Sequence, residues 1–558
     1  MDIIGKISAT QQCPSSSDEF TFWLGDDQVV SPFDLVAAEN AKASTSVGVI
    51  QDIHHVTESA NHIANYVASD FGRVELDPTT NRLGTVYVSA EVMNNDREIY
   101  MPLSNGTAVR FATEEEIRKA LGIDIIPQER RIPAGYLQQS NGTVVPVAFD
   151  SGFLIGPEGA HLNVSGISGL ATKTSYIMFL LQAVMQSPAS HKTASIIFNV
   201  KGKDLLAIDK PSRLAETSTR HWESVKSEWE KCGLQAKPFE NVRYFFPYTN
   251  REEKGFADTW CDADVVRQLC REDKAGNYIY TYQHDKEKLD LLFGNIDDPN
   301  MTIESIQNEI NSAPLFSKDV KDWRDLKAKI DDRCLSGQGN AGNITVQSWR
   351  RFARLISTMI SGNTGGIFQD SKSGNADKRQ VHLSEQIEQI QGGETIVVDI
   401  AALPEQQKCL VFGDVIRTVY KMKTGDSDSC SEHDCPERII IFVDELNKYA
   451  PSNINGSPII SSLIEITERG RSLGIVLFSA EQFRSAIHAR VKGNCATNVY
   501  GRTNGVETET SDYKPHIPKS FRGMMTRLPK GQLIIQHPIF RSLLKISFPK
   551  PAYFQPEH

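Results

Sequence analysis

Three short groups of residues carry the chemistry needed to hold and cleave a phosphoanhydride. The first is Gly166-Ile-Ser168-Gly169-Leu170-Ala171-Thr172-Lys173-Thr174-Ser175, set between the apolar segment Leu162 to Val164 and the apolar run Tyr176 to Met185. Strand, glycine loop, lysine, hydroxyl and helix is the order a phosphate loop requires. Backbone N–H groups and a helix N-terminus receive the phosphates. The lysine neutralises the β/γ charge, and the following hydroxyl reaches Mg²⁺. Gly166, Ser168, Gly169, Leu170, Ala171, Thr172, Lys173, Thr174 and Ser175 are therefore candidate nucleotide-binding residues. Lys173 is also a catalytic candidate, and Thr174, with Ser175 as the alternative, is the hydroxyl for the metal. The loop departs from GxxxxGK[ST], because Thr172 stands where glycine normally precedes the lysine, and Gly169 lies four residues before Lys173. The weight accordingly rests on Lys173 and Thr174. The bland alternative is a glycine turn that opens a core helix.

The second group is Arg438-Ile-Ile-Ile-Phe-Val-Asp444-Glu445. An apolar run ending in two acids places carboxylates at the tip of a buried strand, where they are costly unless a metal or water network uses them. Asp444 is the candidate Mg²⁺ ligand, and Glu445 the group that polarises an attacking water. The third is Ile475-Val-Leu-Phe-Ser479 followed by Ala480-Glu481-Gln482, where Gln482 is the candidate γ-phosphate sensor. Arg469 and Arg471, on the preceding helix, and Arg502 are candidates to act on a neighbouring subunit's phosphate. Each also reads as an ordinary basic helix end or loop.

These groups need a scaffold. Short apolar runs at Leu162–Val164, Ser195–Val200, Thr395–Ile400, Ile439–Val443, Ile475–Ser479 and Gln532–Gln536 alternate with helical patterns. Continuous apolar runs suit strands buried on both faces, so the expected fold class is a doubly wound α/β, P-loop (RecA-like) core. Residues 1–125 instead carry short alternating segments such as Phe20-Thr-Phe-Trp-Leu24, which predict a small N-terminal β-barrel or sandwich ending in a capped helix from Thr113. Residues 126–210 read as a linker with a hairpin and the first part of the core, 211–390 as a mostly helical insertion, 391–545 as the second part of the core, and 546–558 as an extended tail.

The chain has 558 residues, 40% of them hydrophobic and 23% charged, as in soluble globular proteins of several domains. A net charge of −10 argues against nucleic acid wrapped over the whole surface; contact would need a local patch such as a ring pore. Trp349-Arg350-Arg351-Phe-Ala-Arg354 and the loop cations Lys372, Lys378 and Arg379 are candidates, against the more ordinary reading of solvated faces. Nine scattered cysteines without a CxxC pair suggest reduced thiols in a cytoplasm. Cys430-Ser-Glu-His433-Asp-Cys435 lacks a second cluster to complete a zinc site and reads as a surface loop. There is no signal-peptide pattern and no apolar run long enough for a membrane span.

Gly156 through Ser175, Phe442-Val-Asp-Glu-Leu-Asn-Lys-Tyr-Ala-Pro451 and Gly470-Arg-Ser-Leu-Gly-Ile-Val-Leu-Phe-Ser-Ala-Glu-Gln482, in this order behind a β-rich N-terminus with Gly5-Lys-Ile, resemble the HerA branch of the FtsK–HerA ATPases. The resemblance implies a homohexameric ring around double-stranded DNA, with ATP and Mg²⁺ at subunit interfaces and an arginine supplied by the neighbour. It further implies a partner effector, either a NurA-like or other nuclease or a sirtuin-like NADase, in DNA-end processing or anti-phage defence. No nuclease or NADase motif is present in this chain, so that activity would belong to the partner. Three functions follow as expectations: a DNA-translocating motor, a protein-remodelling ring, and an ATP-binding scaffold that gates an effector.

Overall fold

The computed structural model describes residues 2–68, 71–75, 84–167, 172–293, 302–312, 316, 320–335, 344–360, 365–425, 435–454 and 457–556. Six N-terminal strands, β1 (Ile3–Ile7), β2 (Glu19–Leu24), β3 (Leu35–Asn40), β4 (Ser44–Thr57), β5 (Gly84–Asn95) and β6 (Ala108–Phe111), close into a barrel in the order β1-β2-β5-β4-β3-β6. The two-residue alternation of β2 decides what fills it. Phe20, Phe22 and Leu24 point inward against Ile4, Val88 and Val109, whereas Trp23 faces out. Closure leaves no free strand edge. A short helix, His62–Ala68, follows β4.

The helix Glu114–Ala120 starts in a capping box: the Thr113 hydroxyl accepts from the Glu116 N–H, and the Glu116 carboxylate accepts from the Thr113 N–H. Its apolar side, Ile117 and Ala120, joins the core beneath. Phe33 of the barrel stacks on Phe521 of the C-terminal half at 3.9 Å between centroids. The barrel is thus seated on the core.

The core is a 14-stranded sheet. Its strands are β7 (Arg131–Gln138), β8 (Val144–Asp150), β9 (Leu162–Ser165), β10 (Thr193–Asn199), β11 (Val242–Pro247), β12 (Ala275–Thr281), β13 (Phe368–Gln369), β14 (Gln380–His382), β15 (Thr395–Asp399), β16 (Arg438–Asp444), β17 (Ile475–Glu481), β18 (Thr497–Tyr500), β19 (Gln532–Gln536) and β20 (Leu544–Ser547). The run β12-β11-β15-β10-β16-β17-β9-β18 is parallel, and β19, β20 and the β7–β8 hairpin extend it antiparallel. Both faces are buried. Ile440 and Phe442 of β16 join the face under the helix Thr172–Met185, while Ile439, Ile441 and Val443 join the face under the helices Glu405–Thr424 and Pro458–Leu473. This two-sided burial is why these strands read as unbroken apolar runs.

Strands β11, β12 and β14 lie inside the stretch expected as a helical insertion, and all three belong to the central sheet. Charged helices such as Thr219–Lys231 flank them and mask their short apolar runs. The helical excursion itself, with the helices Thr302–Ser312, Trp323–Arg333 and Val346–Ile360, sits between β12 and β13 and packs Ile306, Leu326, Ile330, Trp349 and Phe352 into the second core face.

After β20 the chain runs extended across its own core. Trp229 Nε1 donates to the Lys550 carbonyl (2.8 Å), and the Phe554 N–H donates to the Lys210 carbonyl (2.8 Å). Among the described residues no helix is long and apolar enough to cross a membrane, and the eight cysteines are all free of disulfides. Cys430 and His433 lie outside the described residues.

Phe442 is completely buried in the central strand. Phe442→Ala is expected to cost about 3–5 kcal/mol of stability, read as a lower denaturant midpoint of the core transition.

Candidate nucleotide site

The cleft forms where parallel strands end together. In register, Ser165 of β9 lies beside Glu481 of β17, and Ala480 lies beside Asp444 of β16. The glycine loop leaves β9 through Gly166, whose N–H donates to the Glu481 carbonyl (3.1 Å). The Ile167 N–H donates to the Arg502 carbonyl (2.7 Å). A Cβ at Gly166 would stand 3.1 Å from the Arg502 oxygen and 3.2 Å from Gly501 Cα, so glycine is required by close backbone approach. Ser168, Gly169, Leu170 and Ala171 lie outside the described residues. Thr172, Lys173, Thr174 and Ser175 form the first turn of the buried helix that follows.

Lys173 is buried, and its Nζ reaches back to donate to the Gly166 carbonyl (2.6 Å). Burial pulls its pKa below the ordinary lysine value, with Asp444 opposing. The Thr174 hydroxyl donates to Asp444 Oδ2 at 3.2 Å, joining residues 270 positions apart in sequence. A hydroxyl and a carboxylate oxygen in contact, below a buried lysine, are the donor set that an Mg²⁺–triphosphate requires.

Glu445 follows in left-handed backbone (φ 60°), uncommon for a side-chain-bearing residue. Its carboxylate is held on both oxygens: Lys201 Nζ is 2.6 Å from Oε1, and Lys448 Nζ is 2.7 Å from Oε2. Burial acts to raise the Glu445 pKa, but the two lysines outweigh it and hold the group below the usual carboxylate value. Glu445 is therefore ionised and occupied.

Sequence reasoning chose Gln482 at the tip of β17, and the structure leaves Gln482 partly exposed just beyond the strand. The preceding residue, Glu481, is fully buried, and neither of its carboxylate oxygens has a hydrogen-bond partner. Arg484 is buried close by and donates to Asn163 Oδ1, while Asn163 Nδ2 donates to Ser479 Oγ (3.1 Å). Lys201, Lys448, Asn163, Glu481 and Arg484 were not singled out from the sequence. For Asn163 and Glu481 the available signal was a polar residue interrupting an otherwise apolar strand.

The cleft has a volume of ≈ 390 Å³, within the range of small-molecule sites. Thr172 to Ser175, Lys201 and Asp444 line it, together with Lys530 and with Tyr553 and Gln555 of the C-terminal tail. The arginine candidates do not line it. Arg469 is exposed and pairs with Glu465 (3.5 Å), Arg471 donates to the Glu158 carbonyl (3.2 Å), and Arg502 donates to the Thr526 carbonyl (3.1 Å). Of the basic cluster at 349–354, Trp349 and Phe352 are core residues, which leaves no exposed aromatic there for base stacking. Lys372 lies 3.8 Å from Glu385, Lys378 lies 6.0 Å over the Tyr248 ring, and Arg379 pairs with Asp273.

Burial pushes Glu481 up to about 8, against the charges of Arg484 and Lys173 and the polar side chain of Asn163. Its folded pKa lies above its unfolded value near 4.5, so its contribution to stability is complete below about pH 4.5 and is lost as pH rises through 8. In nucleotide-free protein, Glu481→Gln is expected to flatten the fall in melting temperature across this window, with the largest gain over wild type above pH 8.

No protein-family model and no curated protein sequence matches the chain. Among solved structures, the bacterial conjugative coupling protein TrwB, in its complex with ADP and Mg²⁺, is 12% identical over 71% of this chain and 88% of its own, with a TM-score of 0.42. VirB4 of Thermoanaerobacter pseudethanolicus is 12% identical over 76% of this chain and 97% of its own, with a TM-score of 0.42. The genome-packaging NTPase B204 of Sulfolobus turreted icosahedral virus 2, in complex with ATP-γS, is 13% identical over 30% of this chain and 72% of its own, with a TM-score of 0.22.

Proposed function

We propose that this chain is an ATP-hydrolysing motor of the HerA type, which assembles as a homohexamer and moves double-stranded DNA for a partner nuclease or NADase. The observation that carries the ATPase reading is the contact of Thr174 with Asp444 beside buried Lys173. The motor, ring and partner assignments rest on the resemblance of the three sequence segments.

Thr174 and Asp444 would hold Mg²⁺ through hard oxygen donors. When bound, the ion offsets charge on the β- and γ-phosphates. Lys173 gives up the Gly166 carbonyl to face the same phosphates. Glu445 orients a water whose oxygen attacks the γ-phosphorus. The bridging P–O bond breaks, its electron pair leaves on ADP, and the water proton passes through Glu445 to solvent or phosphate.

Glu445 cannot do this while both of its oxygens are held. Lys201 also lines the cleft, so a triphosphate competes with Glu445 for it. This resting clamp favours a second reading, an ATP-gated scaffold with little turnover of its own. A protein-remodelling ring is the third.

Steady-state ATP hydrolysis with Mg²⁺, with and without linear duplex DNA, separates them. The motor reading expects stimulation by DNA and a loss of about 10²–10⁴-fold in Glu445→Gln. Turnover indifferent to DNA yet abolished in the variant favours remodelling. Nucleotide binding without turnover favours the scaffold. Lys448→Ala, which frees one Glu445 oxygen outside the cleft, is expected to raise DNA-independent turnover several-fold.

A further inference from the structure

A second set of ligand-type side chains lies far along the sheet from the nucleotide cleft, at the carboxyl ends of β12 and β14. These strands pair in parallel, with Ile279 beside His382. His284 and Asp285 sit in the single turn Tyr282–Asp285 that follows β12, and His382 is the last residue of β14. The helical excursion therefore leaves the sheet at His284 and Asp285 and has returned by His382. Ligand atoms of the three side chains all lie within 4.8 Å of one another.

Asp285 and His382 are buried, and His284 covers them from the exposed side. The two imidazoles stack at 4.1 Å between centroids, tilted by 30°. His382 Nδ1 is buried with no hydrogen-bond partner. It stands 3.7 Å from Asp285 Oδ2, too far for a hydrogen bond. Donors around a tetrahedral ion with bonds of about 2.1 Å stand roughly 3.4 Å apart, so a small closure brings these two onto one cation. Ser384 Oγ, 3.2 Å from His284 Nε2, steadies that ring as outer partners of ligand histidines do.

A lysine already competes for this carboxylate. Lys288 Nζ is 2.9 Å from Asp285 Oδ1, the oxygen not facing His382. It is also 2.7 Å from Asp414 Oδ1 and donates to Ser384 Oγ at 3.2 Å, so it keeps two partners if a cation draws Asp285 away.

We propose that His284, Asp285 and His382 form a site for a divalent transition ion of the zinc class, which staples the neck of the helical excursion to the sheet. Two imidazoles and one carboxylate select such an ion over Mg²⁺ or Ca²⁺. The exposure of His284 leaves a fourth position open to water.

The test is calorimetric titration of Zn²⁺ into chelator-treated full-length protein without nucleotide. Wild type is expected to bind one more ion per chain than His284→Ala/His382→Ala, and saturating Zn²⁺ should raise its melting temperature. His284→Ala alone, at an exposed position, keeps the fold and is expected to bind that ion at least tenfold more weakly. Co²⁺ in the site should give visible bands without a thiolate-to-metal absorption. Equal binding by wild type and both variants, absence of binding, or a thiolate band that places the ion on cysteine would each overturn the proposal.

Discussion

The register of three adjacent parallel strands governs this molecule. With β17 between β9 and β16, Ser165, Glu481 and Asp444 reach the same edge of the sheet within one residue of each other. A slip of one residue in β16 would turn Asp444 to the opposite face and exchange every apolar contact of that strand. The burial of both faces forbids such a slip, because Ile440 and Phe442 serve one core and Ile439, Ile441 and Val443 the other. The packing that stabilises the sheet also positions the carboxylate that receives Thr174.

Polar groups gathered at such an edge must balance one another. Lys173 is buried, and Asp444 opposes the cost of its charge. Glu445 is matched by two lysines. Glu481, whose carboxylate oxygens have no hydrogen-bond partner, meets burial by keeping its proton up to about pH 8. Burial thus moves Glu481 up while two lysines hold Glu445 down, so two glutamates near the cleft are driven in opposite directions by environment and not by residue type.

Much of this arrangement was legible in the chain, for identifiable reasons. The strands β9, β10, β15, β16, β17 and β19 announce themselves because two-sided burial makes their runs mostly apolar, with few polar residues among them. The Thr113 cap is a local signal and needs no tertiary knowledge. Strands β11 and β12 were submerged because their neighbours are charged helices and their own sequences, Val242–Pro247 and Ala275–Thr281, are rich in tyrosine and phenylalanine that also suit helix packing. Lys201 and Lys448 gave no sign, since a lysine's partner depends on which loops the fold brings together. Gln482 is the candidate by its place at the strand tip, yet β17 is buried on both faces to its last residue, and that residue is Glu481. The basic cluster at 349–354 is a candidate for phosphate contact because aromatics and arginines lie close together in sequence, but helical geometry sends Trp349 and Phe352, three residues apart, to the core.

The placement of β9 also shapes how the protein comes to be folded. Both of its neighbours, β17 and β18, arrive late: Asn163 bonds to Ser479, 316 residues downstream, and pairs with Asn498 on the other side. During synthesis the barrel can close from its own strands, and the apolar helix behind β9 can meet the earlier strand β7, where the Tyr176 hydroxyl donates to the Ala134 carbonyl, yet β9 itself emerges before either of its sheet neighbours. Contacts of such sequence separation are slow to form, and apolar segments left waiting invite aggregation. The nucleotide cleft is therefore among the last parts of the chain to exist, since β9 waits for strands made more than 300 residues later.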